Sequence, residues 1–330
     1  MQILVTGGGG FLGSHIATRL HERGDVVYVL GRRKYAYKGI ESIQTDIRDR
    51  EAVFNACNNM DVVFHAAAIP NIWGDKKEFF DINVEGTRNV IDACRKHAVK
   101  KLIYTSSPSV VFNKTDMEYV DERVPYPESY LCDYPLTKAI AEKLVVASNG
   151  ADGLLTVSLR PHLIWGPGDP HLVPRIIDSA RKGQLLRVGD GRNKVDIIYI
   201  DNAVEAHVLA CDALKPGSQL AGQCYFVSDG EPVILWDWIN NLLTKLHIPP
   251  VTRSISYRRA YILGAMMEMA YSFFGISGEP RMTRFIAAQL ATSHYFDISR
   301  AKRDFQYQPI VGQEEGMRRL IQYLQSHPAG

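Results

Sequence analysis

Tyr134 and Lys138 stand four residues apart in the run Tyr-Pro-Leu-Thr-Lys, a phenol followed by an ammonium. On a helix, positions i and i+4 lie one turn apart on one face, so both groups can reach a single ligand. An ammonium beside a phenol favours the phenolate and brings its proton exchange towards neutral pH. Interconversion of a ketone and an alcohol requires such a proton donor and acceptor. Upstream, the apolar run 101–105 ends at Thr105 and leads into Ser106-Ser107. A serine at the carboxyl edge of a sheet can hydrogen-bond the substrate oxygen that the tyrosine protonates. Each piece alone has a plainer reading, the first as a surface helix pair and the second as a turn. Their order along the chain makes the catalytic reading the specific one.

These residues need a scaffold and a redox partner, and the first turn of the chain supplies the signal for both. The apolar strand Gln2 to Thr6 runs into Gly7-Gly-Gly-Gly10-Phe-Leu-Gly13 and then into a helix. Gly7 permits the tight turn, Gly10 lets backbone approach a pyrophosphate, and Gly13 lets the helix pack close to the sheet. The free N–H groups of that helix then face the phosphates. A glycine turn between a strand and an amphipathic helix is the context that distinguishes a dinucleotide site from an ordinary loop.

Short apolar strands alternate with helical segments through the first half. Strands are expected at 3–6, 26–30, 41–45, 62–65, 101–105 and 154–159, and helices at 12–23, 50–56, 78–96 and 135–148. This alternation predicts an α/β fold, a Rossmann-type doubly wound parallel sheet, with a smaller C-terminal substrate-binding lobe. The dinucleotide-binding domain is expected at 1–165, with part of 195–213 returning to it, and the lobe at 166–330. In the second half, 196–200 reads as a strand, with Asp201-Asn202 as the cap of the helix that follows.

The balance of 46% hydrophobic and 22% charged residues over 330 positions is that of a globular protein. A net charge of +2 gives no electrostatic case for a nucleic-acid partner. Five dispersed cysteines, with no metal-like spacing to histidines, predict reduced thiols, no metal and a cytoplasmic setting. The apolar strand at Gln2 leaves no expectation of a secretory signal. The stretch 260–275 is the most apolar of the second half but contains Glu268 and is too short to span a bilayer.

The three-residue spacing of the glycines, Tyr104-Thr-Ser-Ser107 and the Tyr-x-x-x-Lys run together resemble the extended short-chain dehydrogenases/reductases over nearly the whole chain. Asp46-Ile-Arg-Asp49, His65-Ala-Ala-Ala68, Asn83-Val-Glu-Gly-Thr87 and Tyr199-Ile-Asp-Asn202 fit the same family. Arg160-Pro-His-Leu-Ile-Trp-Gly-Pro-Gly-Asp169 with His171-Leu-Val-Pro174 is similar to the branch of 3β-hydroxysteroid and sterol-4-carboxylate dehydrogenases. The resemblance implies a catalytic triad of Ser107, Tyr134 and Lys138, with Lys138 also on the nicotinamide ribose. It implies cofactor contacts from Gly7, Gly10, Phe11, Leu12, Gly13 and Thr105, with Tyr134 and Lys138 shared between both tasks. Asp46 and Ile47 would flank the adenine. Ala66, Ala67, Ala68 and Asn83 would line the cofactor cleft, and Pro161 and Leu163 would lie near the nicotinamide. His65 reads as a packed strand-end residue, whereas His162 is the histidine worth testing. Relatives commonly pair the helices that include the one carrying the tyrosine, so a homodimer is implied.

The end of the second strand bears on the choice of cofactor. An acidic residue there holds the ribose 2′-hydroxyl of NAD and repels a 2′-phosphate. This chain reads Val29-Leu30-Gly31-Arg32-Arg33-Lys34, with glycine in the acidic position and cations after it. Arginine binds phosphate through paired N–H donors, so Arg32 and Arg33 are the expected contacts of NADP(H). The plainer reading of the same run is a solvated basic turn.

For the substrate, Ile103-Tyr-Thr-Ser-Ser-Pro-Ser-Val110, Val188-Gly-Asp-Gly191, Thr252-Arg-Ser-Ile-Ser256, Thr283-Arg-Phe285, Arg300-Ala-Lys-Arg-Asp-Phe305 and Glu314-Glu-Gly316 resemble one subgroup. Its members reduce long-chain 2-alkyl-3-oxo acids in bacterial olefin biosynthesis, with NADPH as reductant and a tyrosine as proton donor. The aromatic and thioether side chains of 260–274 suit a pocket for alkyl chains or a membrane interface, and equally an ordinary core. The expected partner is a small hydrophobic ketone or alcohol, with peripheral membrane or multienzyme association open. Arg175, Arg192 and Arg284 are candidates for a substrate carboxylate. A 3β-hydroxysteroid or sterol-4-carboxylate dehydrogenase is the alternative. A nucleotide-sugar epimerase fits less well, because Arg160-Pro-His-Leu163 departs from the Arg-Tyr-Phe-Asn of those relatives. A non-catalytic NADP-binding sensor commonly lacks the tyrosine or the lysine, and both are present here.

Overall fold

A computed structural model describes residues 1–327. The first half runs β1 (Gln2–Thr6), α1 (Phe11–Glu22), β2 (Val26–Gly31), β3 (Glu41–Gln44), α2 (Arg50–Cys57), β4 (Val62–His65), α3 (Lys76–Phe80), α4 (Gly86–Lys96) and β5 (Lys101–Thr105). It continues through β6 (Met117–Val120), α5 (Asp133–Ala147), β7 (Leu155–Pro161), β8 (Ile164–Trp165), α6 (Leu172–Arg181), β9 (Arg187–Val188), β10 (Lys194–Val195), β11 (Ile198–Tyr199), α7 (Ile200–Ala213) and β12 (Gln223–Val227). The remainder is β13 (Val233–Ile234), α8 (Leu235–Lys245), β14 (Ser254–Ile255), α9 (Tyr257–Phe274), α10 (Arg284–Ala291), β15 (His294–Phe296), α11 (Ser299–Phe305) and α12 (Gln313–Ser326).

Seven parallel strands form one sheet in the order β12-β7-β5-β4-β1-β2-β3. Both faces are covered, which explains why β1 reads as a continuous apolar run rather than an alternating one. Ile3 and Val5 pack with Ile16 and Leu20 of α1 and Ala203 of α7. Leu4, pointing the other way, packs with Val53 of α2, Val90 of α4 and Val145 of α5. Strand order reverses between β1 and its two neighbours, which opens a crevice at the carboxyl ends of β1, β4 and β5.

Three elements depart from the pattern in the sequence. β12, far along the chain, adds the seventh strand beside β7. The segment expected as one helix at 78–96 is interrupted by a π-helical turn at Asp81–Glu85, which turns Asn83 inward. Helix α7 begins at Ile200 and has no side-chain cap, because Asn202 is committed elsewhere. Its amide donates to Asp229 and to the Val311 carbonyl, and its oxygen accepts from the N–H groups of Ile310 and Val311.

The smaller lobe is built on the sheet β13-β10-β15-β6. Its helices α9 and α10 cross at Gly264, where a Cβ would lie 2.5 Å from the Thr283 carbonyl carbon. The outward face of α9 carries exposed Ile262, Leu263, Met266, Met269, Phe273 and Phe274. Among the described residues, no helix is long and apolar enough to cross a membrane.

Candidate active site

The glycine turn has the geometry that a phosphate-binding helix start needs. Gly7 has φ of 70°, and a Cβ on it would meet the Ala67 backbone nitrogen at 2.7 Å. A Cβ on Gly13 would lie 2.2 Å from the Gly7 carbonyl oxygen, so only glycine lets α1 start this close to the sheet. No side chain caps α1, which leaves its first N–H groups facing the crevice.

Two cavities meet at this turn, sharing Gly7, Gly10, Ala66 and Ala68. The smaller, of about 230 Å³, is lined by Gly31, Arg32, Tyr35, Asp46, Ile47 and Ala67 among others. Arg32 therefore reaches this cavity, whereas Arg33 is exposed and does not line it, because the chain turns at the end of β2. The Asp46 carboxylate is held below its usual range chiefly by Arg48, which it binds at 2.7 Å. The uncapped helix start, the glycine cradle and this cavity fit the phosphates and adenosine of a dinucleotide.

The larger cavity, of about 410 Å³, brings Ser107, Tyr134 and Lys138 together with Phe11, Leu12, Thr105, Pro161 and Leu163. Ser107 is the second residue after β5, and its hydroxyl shares a 2.9 Å hydrogen bond with that of Ser109. Burial pushes the Tyr134 phenol up, and a hydrogen bond with Ser107 draws it part of the way back. Lys138 is almost fully buried and donates to the Thr105 carbonyl oxygen at 2.6 Å, with its Nζ 4.2 Å from the centre of the Tyr104 ring. Burial lowers this ammonium to about 7, against an opposing pull from Glu142. In this fold the phenol is thus an acid that holds its proton, and the lysine is a buried amine whose burial favours loss of its proton and whose Nζ is held by the Thr105 carbonyl.

Directed hydrogen bonds set the walls. His65 is fully buried and kept neutral by burial, which lowers it to about 3. Thr87 donates to the Asn83 carbonyl, so it accepts from His65 Nε2; His65 Nδ1 then accepts from Thr6, whose oxygen receives the Ala67 N–H. Asn83 does not line either cavity, contrary to expectation, because the π turn buries it behind the wall. Its amide instead ties the Ile69 backbone to the Thr137 hydroxyl, next to Lys138 on α5. Thr105 donates from its hydroxyl to His207 Nε2 at 2.9 Å, since His207 Nδ1 donates to the Ala203 carbonyl.

Of the residues read from sequence, all but Arg33 and Asn83 line one or both cavities. The carboxylate candidates do not: Arg175 pairs with Glu279, Arg284 with Glu268, and Arg192 is exposed. Sequence reasoning missed Tyr35, whose ring lies against Gly9 of the glycine turn and Gly31 at the end of β2. A tyrosine directly after the basic run was the available signal. It also missed Phe285, Gln289, His294 and Phe296, which α10 and β15 bring to the cavity from the distant lobe. Phe285 lies in the run Thr283-Arg-Phe285, and no local pattern marks the other three as cavity residues.

The chain matches the 3-beta hydroxysteroid dehydrogenase/isomerase family over residues 4–256. It belongs to that family. It is an NAD(P)-dependent oxidoreductase of the extended short-chain dehydrogenase/reductase group. Relatives include the 2-alkyl-3-oxoalkanoate reductase of Stenotrophomonas maltophilia (strain K279a), 47% identical over 97% of this chain and 98% of that one. The reductase of the same name from Shewanella oneidensis is 45% identical over 96% of this chain and 84% of that one. The sterol-4-alpha-carboxylate 3-dehydrogenase, decarboxylating, of Mus musculus is 34% identical, covering 96% and 89%. Among solved structures, gox2253 superposes with a TM-score of 0.80 at 27% identity, covering 99% of this chain and 98% of that one. MoeE5 in complex with UDP-glucose and NAD shares the fold, with a TM-score of 0.77 at 24% identity over the full length of both chains.

Proposed function

We propose that this protein reduces the 3-oxo group of a long-chain 2-alkyl-3-oxoalkanoic acid to the 2-alkyl-3-hydroxy acid, with NADPH as reductant. The observation that carries the reading is the convergence of Ser107, Tyr134 and Lys138 on one largely apolar cavity that opens onto the glycine turn. Two reductases of this name, alike over nearly the whole chain, support the substrate class. Arg32 at the adenosine cavity, with no acidic residue at the end of β2, supports NADP(H) over NAD(H). Bound NADPH supplies the hydride that reaches the carbonyl carbon. Ser107 holds the carbonyl oxygen, and Tyr134 gives its proton to the alkoxide forming there. Lys138 would bind the ribose hydroxyls and stabilise the phenolate left behind. The first N–H groups of α1 would hold the pyrophosphate, Asp46 and Ile47 would flank the adenine, and Pro161 and Leu163 would border the nicotinamide.

The exposed apolar face of α9 supports peripheral contact with lipid, a source of a long-chain substrate, and the family supports a homodimer. Oxidation of a sterol carboxylate is the second reading, favoured by the 34% identical dehydrogenase. Turnover of a long-chain 2-alkyl-3-oxo acid and of a 3-ketosteroid, each with NADPH and with NADH, tests the proposal. Preference for the acid with NADPH is expected, and preference for the steroid overturns it.

A further inference from the structure

His162 follows the last residue of β7 and His294 opens β15, so two elements far apart in the chain bring them side by side in the wall of the large cavity. Their ring centroids are 4.7 Å apart at 69°, and His162 Nε2 lies 2.6 Å from His294 Nδ1. The next bond decides the direction of this one. His294 Nε2 is 2.9 Å from the Gln289 carbonyl oxygen, which can only accept, so Nε2 carries a proton. Burial holds both rings below their usual range, hence neutral near pH 7. His294 Nδ1 is then a lone pair that accepts from His162 Nε2, and the remaining lone pair of the dyad is on His162 Nδ1. That atom has no hydrogen-bond partner among the described residues, on a residue only 8% exposed that lines the cavity with Ser107 and Tyr134. Apart from Lys138, already engaged by Thr105, the cavity wall carries no lysine or arginine.

We propose that His162, braced by His294 and the Gln289 carbonyl, receives the carboxyl group of the substrate, which binds with uptake of one proton shared between a carboxyl oxygen and His162 Nδ1. This rests on the reading of the substrate as a 3-oxo acid. The acid is ionised in solution and the dyad is neutral, so brought together in a largely apolar cavity they need one proton. Protonated at Nδ1, His162 donates to the carboxylate from one side and to His294 from the other, a charge-assisted chain ending on Gln289. The other charged and titratable groups around the dyad are Asp116, Asp196, Asp169, His171, Tyr134 and Lys138. Asp196, which accepts the Phe296 N–H, is itself pushed up to about 7 by burial. Lys138 and Asp196 both titrate near 7 and act on an ionised acid more than on an ester, so the part of the pH slope that is lost in His162→Leu is what reports the dyad.

The test is NADP⁺-dependent oxidation of a long-chain 2-alkyl-3-hydroxy acid, which unlike the oxo acid is stable to loss of CO₂, beside its methyl ester. The ratio of KM for acid to KM for ester is expected to rise about tenfold per pH unit above neutrality. In His162→Leu the acid-over-ester preference in kcat/KM is expected to fall by about 10- to 100-fold and the pH slope of the ratio to flatten. His294→Phe, which removes the acceptor of the Nε2 proton, is expected to weaken the same preference. A wild-type ratio that is flat with pH, or a preference unchanged in His162→Leu, overturns the proposal while leaving the reductase reading intact. Turnover of a 3-hydroxysteroid with neither acid nor ester oxidised overturns both.

Discussion

Arg160 donates from Nε to one oxygen of Glu142 at 2.9 Å and from an Nη to the other at 2.7 Å, with both side chains almost completely buried. The pair joins β7 to α5 one helical turn beyond Lys138, and Tyr126 donates a third hydrogen bond to the same carboxylate. It therefore fixes how the helix that carries Tyr134 and Lys138 sits on the sheet. Removing one member leaves the other charged, buried and unpaired. Glu142→Ala is expected to lower unfolding stability by about 3–5 kcal/mol, read from urea denaturation. A loss below about 1 kcal/mol, the scale of an exposed pair, contradicts the role.

Lys138 is lowered by burial to about 7 from an ordinary 10.5. Between those two values the unfolded chain binds a proton that the folded chain does not, so stability rises with pH across that window. The penalty of burying the ammonium is full below pH 7 and fades towards 10.5. Lys138→Met has no such group, and its stability relative to wild type is expected to be greatest near pH 6.5 and to decline towards pH 9.5. Thermal melting of both proteins without cofactor reads this, and a margin that does not vary with pH contradicts it.

Arg32 lines the smaller cavity, at the end of β2 where NAD-selective enzymes of this architecture carry a carboxylate. Arg32→Ala is expected to raise KM for NADPH by about 10- to 100-fold, with a smaller change for NADH. Steady-state kinetics with the two cofactors measure the ratio. An unchanged ratio removes Arg32 from cofactor selection and returns the basic run to a solvated turn.

The parts of this site that local chemistry dictates were legible in the sequence. Strands β1, β4 and β5 are apolar because both faces of the sheet are covered, and the glycine turn needs glycine at Gly7 for its positive φ and for space and at Gly13 for space. Spacing along one helix was enough to join Tyr134 to Lys138. The rest depends on chain reversals that no local pattern encodes. His294 meets His162 across 132 residues, and β12 joins β7 only after β8 to β11, α6 and α7 have intervened. Asn83 was misread for a related reason: a π turn of five residues rotates it from the cleft into the wall, and the sequence reads as ordinary helix there. Arg33 and Arg32 are equivalent in sequence, and only the path of the turn after β2 separates them.

The most direct test of the central claim is single-turnover oxidation of NADPH by a long-chain 2-alkyl-3-oxo acid, comparing wild type with Tyr134→Phe. The proton donor is lost while the glycine turn, Arg32 and Lys138 remain, so NADPH is expected to bind with little change and the oxidation rate to fall by about 10²–10⁴. Tyr134→Phe turning over at the wild-type rate contradicts the assignment of the phenol as the acid of ketone reduction.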